Sequence, residues 1–304
     1  MLLISTLLAL LPALALASPI SSNSTSTSES RASGPCSCGY KLSKYNNVYF
    51  PNALTVSFDK VTSLSALQAA GFEINTGWGI GPEASDGGRA IGSTKNIGFS
   101  NGVMTLTVPG GQKKGGQITG AEINTAQSFG GGVFTMNAQL SAEKGTVQSI
   151  FSYSANSDVY GDEQDIELLA SNLLEDNPTN GTPKGIELTN YDPKHTGNND
   201  ATIVPFPNDP TKSFNDYTIG WVKGGTTYYY NGKALNSPKK YSSVNPSLIL
   251  LNNWSSGDET FSQGPPAKDS VLKVKSITFY YQARPLDKYP VVPNGCTQAQ
   301  ACVV

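Results

Sequence analysis

Residues 161–169 read GDEQDIELL, and three carboxylates, Glu163, Asp165 and Glu167, stand at alternate positions in this stretch. In a β-strand all three acids would share one face and Ile166 would point to the other, because successive side chains of a strand alternate between faces. Three like charges in a row oppose folding, so a stability argument gives no reason for them. A strand here therefore indicates a chemical role for the acids.

A helix over 162–176 is the alternative. Asp162 would cap it, and Ile166, Leu169 and Leu173 would follow at helical spacing. Local propensity alone slightly favours this helix over a strand. In a helix the acids would form a solvated surface without chemical meaning.

The remainder of the chain predicts a turn-rich β-protein. Only 14% of the 304 residues are charged, while Gly (31), Pro (19) and Tyr (14) are numerous. Asn231-Gly232 predicts a hairpin turn, and 62–71 predicts one short helix. Predicted strands include 103–108, 132–140, 147–153 and 217–222. We expect an all-β fold: a single domain built as an antiparallel β-sandwich, a jelly roll.

The ends of the chain predict secretion. The apolar run at 1–17 ends in the small-x-small pattern of a signal peptide, and 18–35 forms a Ser/Thr-rich disordered linker. The jelly-roll domain then spans 36–286, and a disulfide-tied tail spans 287–304. After signal cleavage no membrane association is expected. The formal net charge is −2, and the sequence contains no basic stripe. No nucleic-acid partner is therefore expected.

The four cysteines lie at the two ends of the domain. Cys36 and Cys38 stand at the front, and Cys296 and Cys302 stand at the tail. A Cys-x-Cys pair would close a strained ring, so we expect two bridges that join front to tail. The sequence leaves the pairing open, and a zinc site is the weaker alternative because no histidine accompanies the cysteines.

Paired carboxyl groups are the machinery of retaining glycosidases. Such enzymes hold two carboxyls about 5–5.5 Å apart, one as nucleophile and one as acid/base. On a strand, Glu163 and Glu167 would lean toward each other over the shorter Asp165, which can share a proton with a neighbouring Glu. The triplet is therefore compatible with glycoside hydrolysis by double displacement.

The acidic triplet and its neighbours resemble glycoside hydrolase family 16, whose members are concanavalin A-like β-jelly-roll enzymes. The resemblance covers roughly 95–282 and follows the family order. The matching segments are 120-GAEINTAQSFGGGVFTMNAQL-140, 147-VQSIFSYS-154, 162-DEQDIELL-169, 214-FNDYTIGWVKGGTTYYYNGKAL-235 and 248-LILLNNWSSGDETF-261. Together these matches favour the strand over the helix.

The resemblance implies a role for each matched residue. Glu163 would be the nucleophile, Asp165 the assisting acid and Glu167 the general acid/base. Five further residues match substrate-binding positions of the family's cleft: Glu122, Phe151, Tyr191, Trp254 and Phe261. Trp78 is either another sugar platform or a structural plug, and His195 is expected in a solvated loop.

The implied function is that of a secreted, monomeric, retaining endo-β-glucanase acting on β-1,3- or mixed β-1,3/1,4-glucan. Its chemistry needs no cofactor; a structural calcium ion is compatible with it, but no sequence loop identifies one. The alternatives are a wall glucan or chitin transglycosylase that uses the same carboxylates, and a non-catalytic lectin-like sandwich. A lectin would not need all three acids.

Overall fold

The computed structural model describes residues 36–76, 79–80, 89–154, 162–194 and 196–304. The predicted signal peptide and linker, together with Trp78 and His195, lie outside the described residues. Within the described ranges, no helix has the length and apolar character needed to cross a bilayer.

Strands dominate the described residues, and one short α-helix, α1 (Leu64–Ala69), interrupts them. The strands, in chain order, are β1 (Tyr40–Leu42), β2 (Val48–Phe50), β3 (Asn52–Ser57), β4 (Phe72–Ile74), β5 (Gly79–Ile80), β6 (Arg89–Gly92), β7 (Ile97–Ser100), β8 (Val103–Val108), β9 (Gln117–Thr125), β10 (Gly131–Gln139), β11 (Val147–Tyr153), β12 (Glu163–Leu169), β13 (Ile186–Tyr191), β14 (Asn199–Val204), β15 (Asn215–Val222), β16 (Gly225–Tyr230), β17 (Lys233–Ala234), β18 (Leu248–Trp254), β19 (Ser270–Gln282) and β20 (Cys302–Val303).

Two large sheets pack face to face around the main core. The first runs β14-β13-β12-β11-β18-β9-β6-β5, and β4 also pairs with β9. The second runs β17-β16-β15-β10-β19-β8-β7, and β3 also pairs with β19. Alternate apolar side chains from both sheets meet between them, as in a β-sandwich. The all-β sandwich predicted from sequence is confirmed.

The predicted elements agree closely with these bounds. The strands expected at 103–108 and 147–153 match β8 and β11. The helix α1 begins after Ser63, whose hydroxyl accepts a hydrogen bond from the Ala66 amide. Two strand pairs, β6–β9 and β1–β20, are parallel, unlike the antiparallel pairing expected throughout. The chain passes through the second large sheet between β6 and β9, and through both large sheets between β1 and β20. Such long crossovers permit parallel pairing.

The segment with the three acids is strand β12, so the helix alternative is wrong. β12 is hydrogen-bonded to β11 on one side and to β13 on the other. Ile166 and Leu168 are 1% and 0% exposed in the core. Apolar burial and ladder hydrogen bonds on both edges outweigh the small local preference for a helix.

The inner face of β12 also carries a buried polar side chain. Gln164 donates to the Ser152 hydroxyl at 3.1 Å and accepts from the Thr226 hydroxyl. The inner face of β12 is therefore not entirely apolar, and Gln164→Leu would not be tolerated there as it would be on an apolar face. The substitution would instead leave two buried hydroxyls without these partners.

A third, small sheet closes the far side of the sandwich. It runs β2-β1-β20 and joins the front of the described chain to its tail. Tyr40 and Tyr45 pack on Tyr280 and Tyr229, with ring centroids 5.2 and 4.9 Å apart. Because Tyr229 and Tyr280 belong to β16 and β19, this small sheet covers the outer face of the second large sheet.

Two disulfides fasten this small sheet. Cys36 bonds to Cys302, and Cys38 bonds to Cys296, with Cα atoms 5.3 Å apart in each pair. The front-to-tail joining predicted from sequence is confirmed, and parallel pairing of β1 with β20 brings the partners together.

Removal of both bridges should lower stability and leave the acid-bearing face intact. By chain entropy, the first bridge contributes up to about 5 kcal/mol, and the second closes nearly the same loop and adds less. The double variants Cys36→Ser/Cys302→Ser and Cys38→Ser/Cys296→Ser, alone and combined, should show stepwise lower melting temperatures. Activity per folded molecule should stay within about twofold, because the three acids lie on the opposite side of the sandwich. Activity lost faster than folded protein would contradict this expectation.

Candidate active site

The outer face of the first large sheet carries the predicted acids, and we call it the carboxylate face. On β12 it presents Glu163, Asp165 and Glu167, while the alternate residues enter the core. It is defined by these three side chains and by those in register with them on β11, β13, β18 and β9. The structure thus gathers the three acids on one surface.

The strand register decides which side chains flank each acid. Asp165 lies between Phe151 of β11 and Thr189 of β13. Paired residues on neighbouring strands point to the same face, with Cβ atoms about 4.5–5.5 Å apart. The centre of the acidic row is therefore packed against an aromatic ring on one side and a short hydroxyl side chain on the other.

Glu163 and Asp165 form a hydrogen-bonded carboxyl pair. Burial raises the pKa of Glu163 to about 7, and its hydrogen bond with Asp165 acts in the opposite direction. The pKa of Asp165 is raised well above its usual range by burial, then by the charges of Glu163 and Glu167. The shared proton therefore resides on Asp165, which donates it toward Glu163 and leaves Glu163 the anionic member.

Glu167 holds its proton more strongly than an ordinary glutamate. Burial raises its pKa well above the usual range, and the charges of Glu187 and Glu163 raise it further. A carboxyl that stays protonated beside an anionic one is the arrangement that acid/base chemistry at neutral pH requires. The pKa of Glu167 is thus raised further than that of Glu163, although the two glutamates share one strand face.

Glu122 of β9 lies deeper than its match to a cleft position suggests. Its side chain is 3% exposed. Its two oxygens accept hydrogen bonds from Asn75 at 2.6 Å and from Asn252 at 3.0 Å. Burial raises its pKa to about 7, against the effect of these two hydrogen bonds. Both carboxyl oxygens are thus engaged by protein amides.

The four predicted aromatic residues fall into two groups. Phe151 and Tyr191 are partly exposed on β11 and β13, beside the acids. Trp254 is only 6% exposed and lies beneath Phe261, with ring centroids 6.0 Å apart and planes inclined by 34°. Phe261 is partly exposed, so it is the member of that pair with free ring surface.

A buried aspartate anchors the start of β12. Asp162 is fully buried, and one carboxyl oxygen accepts hydrogen bonds from the Val244 amide at 3.2 Å, the Asn245 amide at 3.0 Å and the Asn245 side chain at 2.9 Å. Trp221 donates to the neighbouring carbonyl of Ser243 at 2.8 Å. These bonds hold the loop before β18 against the residue that precedes Glu163.

Sequence reasoning missed three residues that adjoin the acids. Tyr153 is in register with Glu163, and Glu187 is in register with Glu167. The sequence assigns Asp162 no role other than that of a helix cap. Period-2 spacing from Phe151 and from Tyr191 would have put Tyr153 and Glu187 on the same faces, but not opposite particular acids.

The described part of the chain contains no evident set of metal ligands. No group of three or more His, Cys, Asp or Glu side chains in those residues is arranged to hold a metal ion. The four cysteines, for which zinc was the alternative, are all consumed by the two disulfides.

Relatives of known sequence share part of this chain. It is 27% identical over 158 residues to a beta-glucanase of Brevibacillus brevis, a match that covers 51% of this chain and 56% of that protein. It is 25% identical over 134 residues to a beta-glucanase of Bacillus licheniformis, covering 44% and 50%. The chain spans about half the length of the curated relatives it matches.

Solved structures with the same fold cover more of the chain. A β-1,3-1,4-glucanase (lichenase) from a mouse hindgut metagenome superimposes with a TM-score of 0.58 at 20% identity, covering 75% of this chain and 98% of that one. The catalytic domain of an endo-1,3-β-glucanase (laminarinase) from Thermotoga petrophila gives 0.56 at 16% identity, covering 76% and 97%. These likenesses establish a shared sandwich fold.

The acidic strand and its partners fall inside one continuous family match. The model of glycosyl hydrolases family 16 matches residues 85–274, which include β12 and the strands on both sides of it. The match covers more than half of the chain, so this protein belongs to glycosyl hydrolases family 16.

Proposed function

We propose that this protein is a secreted, monomeric, retaining endo-β-glucanase that hydrolyses β-1,3- or mixed β-1,3/1,4-glucan by double displacement. The observation that carries the proposal is the ordered row of acids on β12, with Asp165 hydrogen-bonded to Glu163 and with the pKa of Glu167 raised by burial and by the charges of Glu187 and Glu163. The likeness to beta-glucanases, a lichenase and a laminarinase supports the substrate class. The disulfides support an oxidising, extracellular location.

In the first step, the Glu163 carboxylate attacks the anomeric carbon of the sugar. Glu167 donates its proton to the glycosidic oxygen as the C–O bond breaks, so the leaving glucan departs as a neutral alcohol. The product is a covalent glycosyl ester on Glu163 with inverted configuration. Such a step requires the two outer carboxyls to lie about 5–5.5 Å apart.

In the second step, water replaces the enzyme at the same carbon. Glu167, now a carboxylate, removes a proton from the water, which attacks and releases Glu163. The second inversion restores the β-configuration. Asp165 donates a hydrogen bond to Glu163 whenever Glu163 is anionic. The shared proton then stays on Asp165, and Glu163 remains free to act as the nucleophile.

Sugar binding is assigned to the aromatic and polar residues around the acids. Phe151, Tyr191 and Phe261 offer partly exposed rings on which sugar faces can stack. Trp254 contributes by supporting Phe261 from below. Glu122 contributes through the polar network that it forms with Asn75 and Asn252.

The direct test is product analysis with the disulfide-intact protein on laminarin, lichenan, xyloglucan and chitin oligomers. We expect laminarin or lichenan to yield short oligosaccharides with new reducing ends. Proton NMR during the first minutes should show these ends as β-anomers, before mutarotation. First products of α-configuration would contradict retention.

Two other outcomes would select the alternatives. Longer chains formed without a net gain of reducing ends would identify a transglycosylase with the same carboxylates. Glucan binding without any bond cleavage, at several pH values, would identify a lectin-like module and overturn the proposal.

A further inference from the structure

A fourth carboxyl group adjoins the acidic row from the neighbouring strand. Glu187 lies on β13 directly opposite Glu167, and both side chains point to the carboxylate face. Directly paired residues on antiparallel strands have Cβ atoms about 4.5–5.5 Å apart. Two glutamate carboxyls that start from such positions can contact each other.

The ionisable groups closest to the Glu167–Glu187 pair are acids. Asp165 and Glu163 precede Glu167 on β12, and Tyr191 lies further along β13. The other strand beside Glu167 is β11, which contributes Ser149 in register and Tyr153 further along. The Ser149 side chain does not titrate.

The more distant strands add one further acid. On that side of the sheet β18 contributes Asn252 and β9 contributes Glu122, while β14 places Ile203 opposite Glu187.

In the described part of the chain, no ion pair joins a Lys or Arg side chain to the carboxyl of Glu167 or Glu187. The ion pairs found there join exposed side chains elsewhere, at Lys114, Lys144 and Lys288. Two uncompensated carboxyls on directly paired residues repel each other when both are ionised, and retaining a proton on one of them relieves this repulsion, as in carboxyl dyads.

We propose that Glu187 is a positioning residue of this hydrolase, which lies beside Glu167 on the carboxylate face and keeps the acid/base proton on Glu167 until the first catalytic step. This inference rests on the proposed function. In the first step the negative charge of Glu187 opposes early loss of the proton by Glu167. In the second step it strengthens Glu167 as the base that accepts the proton of water. Burial also raises the pKa of Glu187, which favours sharing of the proton.

The sign of the effect on activity follows directly. Removing the negative neighbour makes Glu167 release its proton at lower pH. The alkaline limb of the pH profile of kcat/KM, which reports the protonated acid, should therefore move to lower pH. The acid plateau should change little, because Glu167 is already protonated there.

The test compares Glu187→Gln, which keeps the shape of the side chain, with Glu187→Asp, which keeps its charge. For Glu187→Gln we expect the alkaline limb on laminarin or lichenan to move down by about one pH unit. Activity on the alkaline side should then fall about tenfold, while the acid plateau stays within about twofold. Glu187→Asp should recover most of the wild-type limb. Glu175→Gln, which alters an exposed carboxylate paired with Lys144, should superimpose on the wild type.

A second measurement needs no substrate. Carbon-13 NMR of protein labelled at the glutamate carboxyls, with Glu167 assigned from Glu167→Gln, should show the Glu167 midpoint at lower pH in Glu187→Gln. An unmoved midpoint, or an equal loss of activity at every pH, would overturn the inference. If the wild type cleaved no glucan, the proposed function would fail, whereas the NMR midpoint would still decide whether Glu187 controls the Glu167 proton.

Discussion

Glu163→Gln is expected to lower glucan hydrolysis by more than about a thousandfold while the protein keeps its fold. The amide has nearly the shape of the carboxyl, but it cannot form the glycosyl ester. The variant also removes one of the mutually repelling acids on β12, so its melting temperature should equal or exceed that of the wild type. Glucan affinity should persist, because the aromatic residues are unchanged.

Azide can separate the roles of the two outer carboxyls. In Glu163→Ala, azide fits the vacated space and should attack the anomeric carbon directly, which gives an α-glycosyl azide by single inversion. In Glu167→Ala, with a substrate that has a good leaving group, Glu163 still forms the ester. Azide should then replace water and give a β-glycosyl azide. Mass spectrometry and proton NMR of the azides distinguish these outcomes.

The matched control is Glu175→Gln, which removes an exposed carboxylate that is paired with Lys144 and lies outside β12. It should keep wild-type activity and show no response to azide. Near-normal hydrolysis by Glu163→Gln, or a β-azide from Glu163→Ala, would remove Glu163 from the nucleophile role.

Ile166→Asp should prevent stable folding. Ile166 is 1% exposed and lies between Ile150 of β11 and Leu188 of β13, with the second sheet beneath it. A carboxylate there would be buried without a partner, and we expect a loss of about 4 kcal/mol or more in the free energy of unfolding. Urea denaturation followed by tryptophan fluorescence measures the loss.

Two variants on the same strand calibrate this result. Ile166→Val removes one methylene group and should cost about 1 kcal/mol. Gln164→Leu should cost about 1–3 kcal/mol, because the Ser152 and Thr226 hydroxyls lose their buried partner. Equal stability of Ile166→Asp and the wild type would mean that Ile166 does not face the core.

The sequence by itself determined the sandwich and the composition of the acidic row. Alternation is a local property of a strand, so the spacing of Glu163, Asp165 and Glu167 was sufficient to put them on one face once a strand was assumed. Local propensity could not make that choice, since it slightly favoured a helix. The order of the surrounding family motifs made the choice instead. The positions of the four cysteines near the two ends of the domain, together with the strain of a Cys-x-Cys ring, were likewise sufficient to predict front-to-tail disulfides.

Only the tertiary structure decided what lies beside each acid. The pairing of Glu187 with Glu167, and of Asp162 with the 244–245 loop, depends on register between segments distant in sequence. The disulfide partners follow from the same cause, because the parallel pairing of β1 and β20 brings Cys36 to Cys302. The pKa values of the acids also depend on register, because burial and neighbouring charges from other strands set the pKa of a carboxyl. The sequence therefore determined which acids share a face, and the fold decided which of them hold a proton.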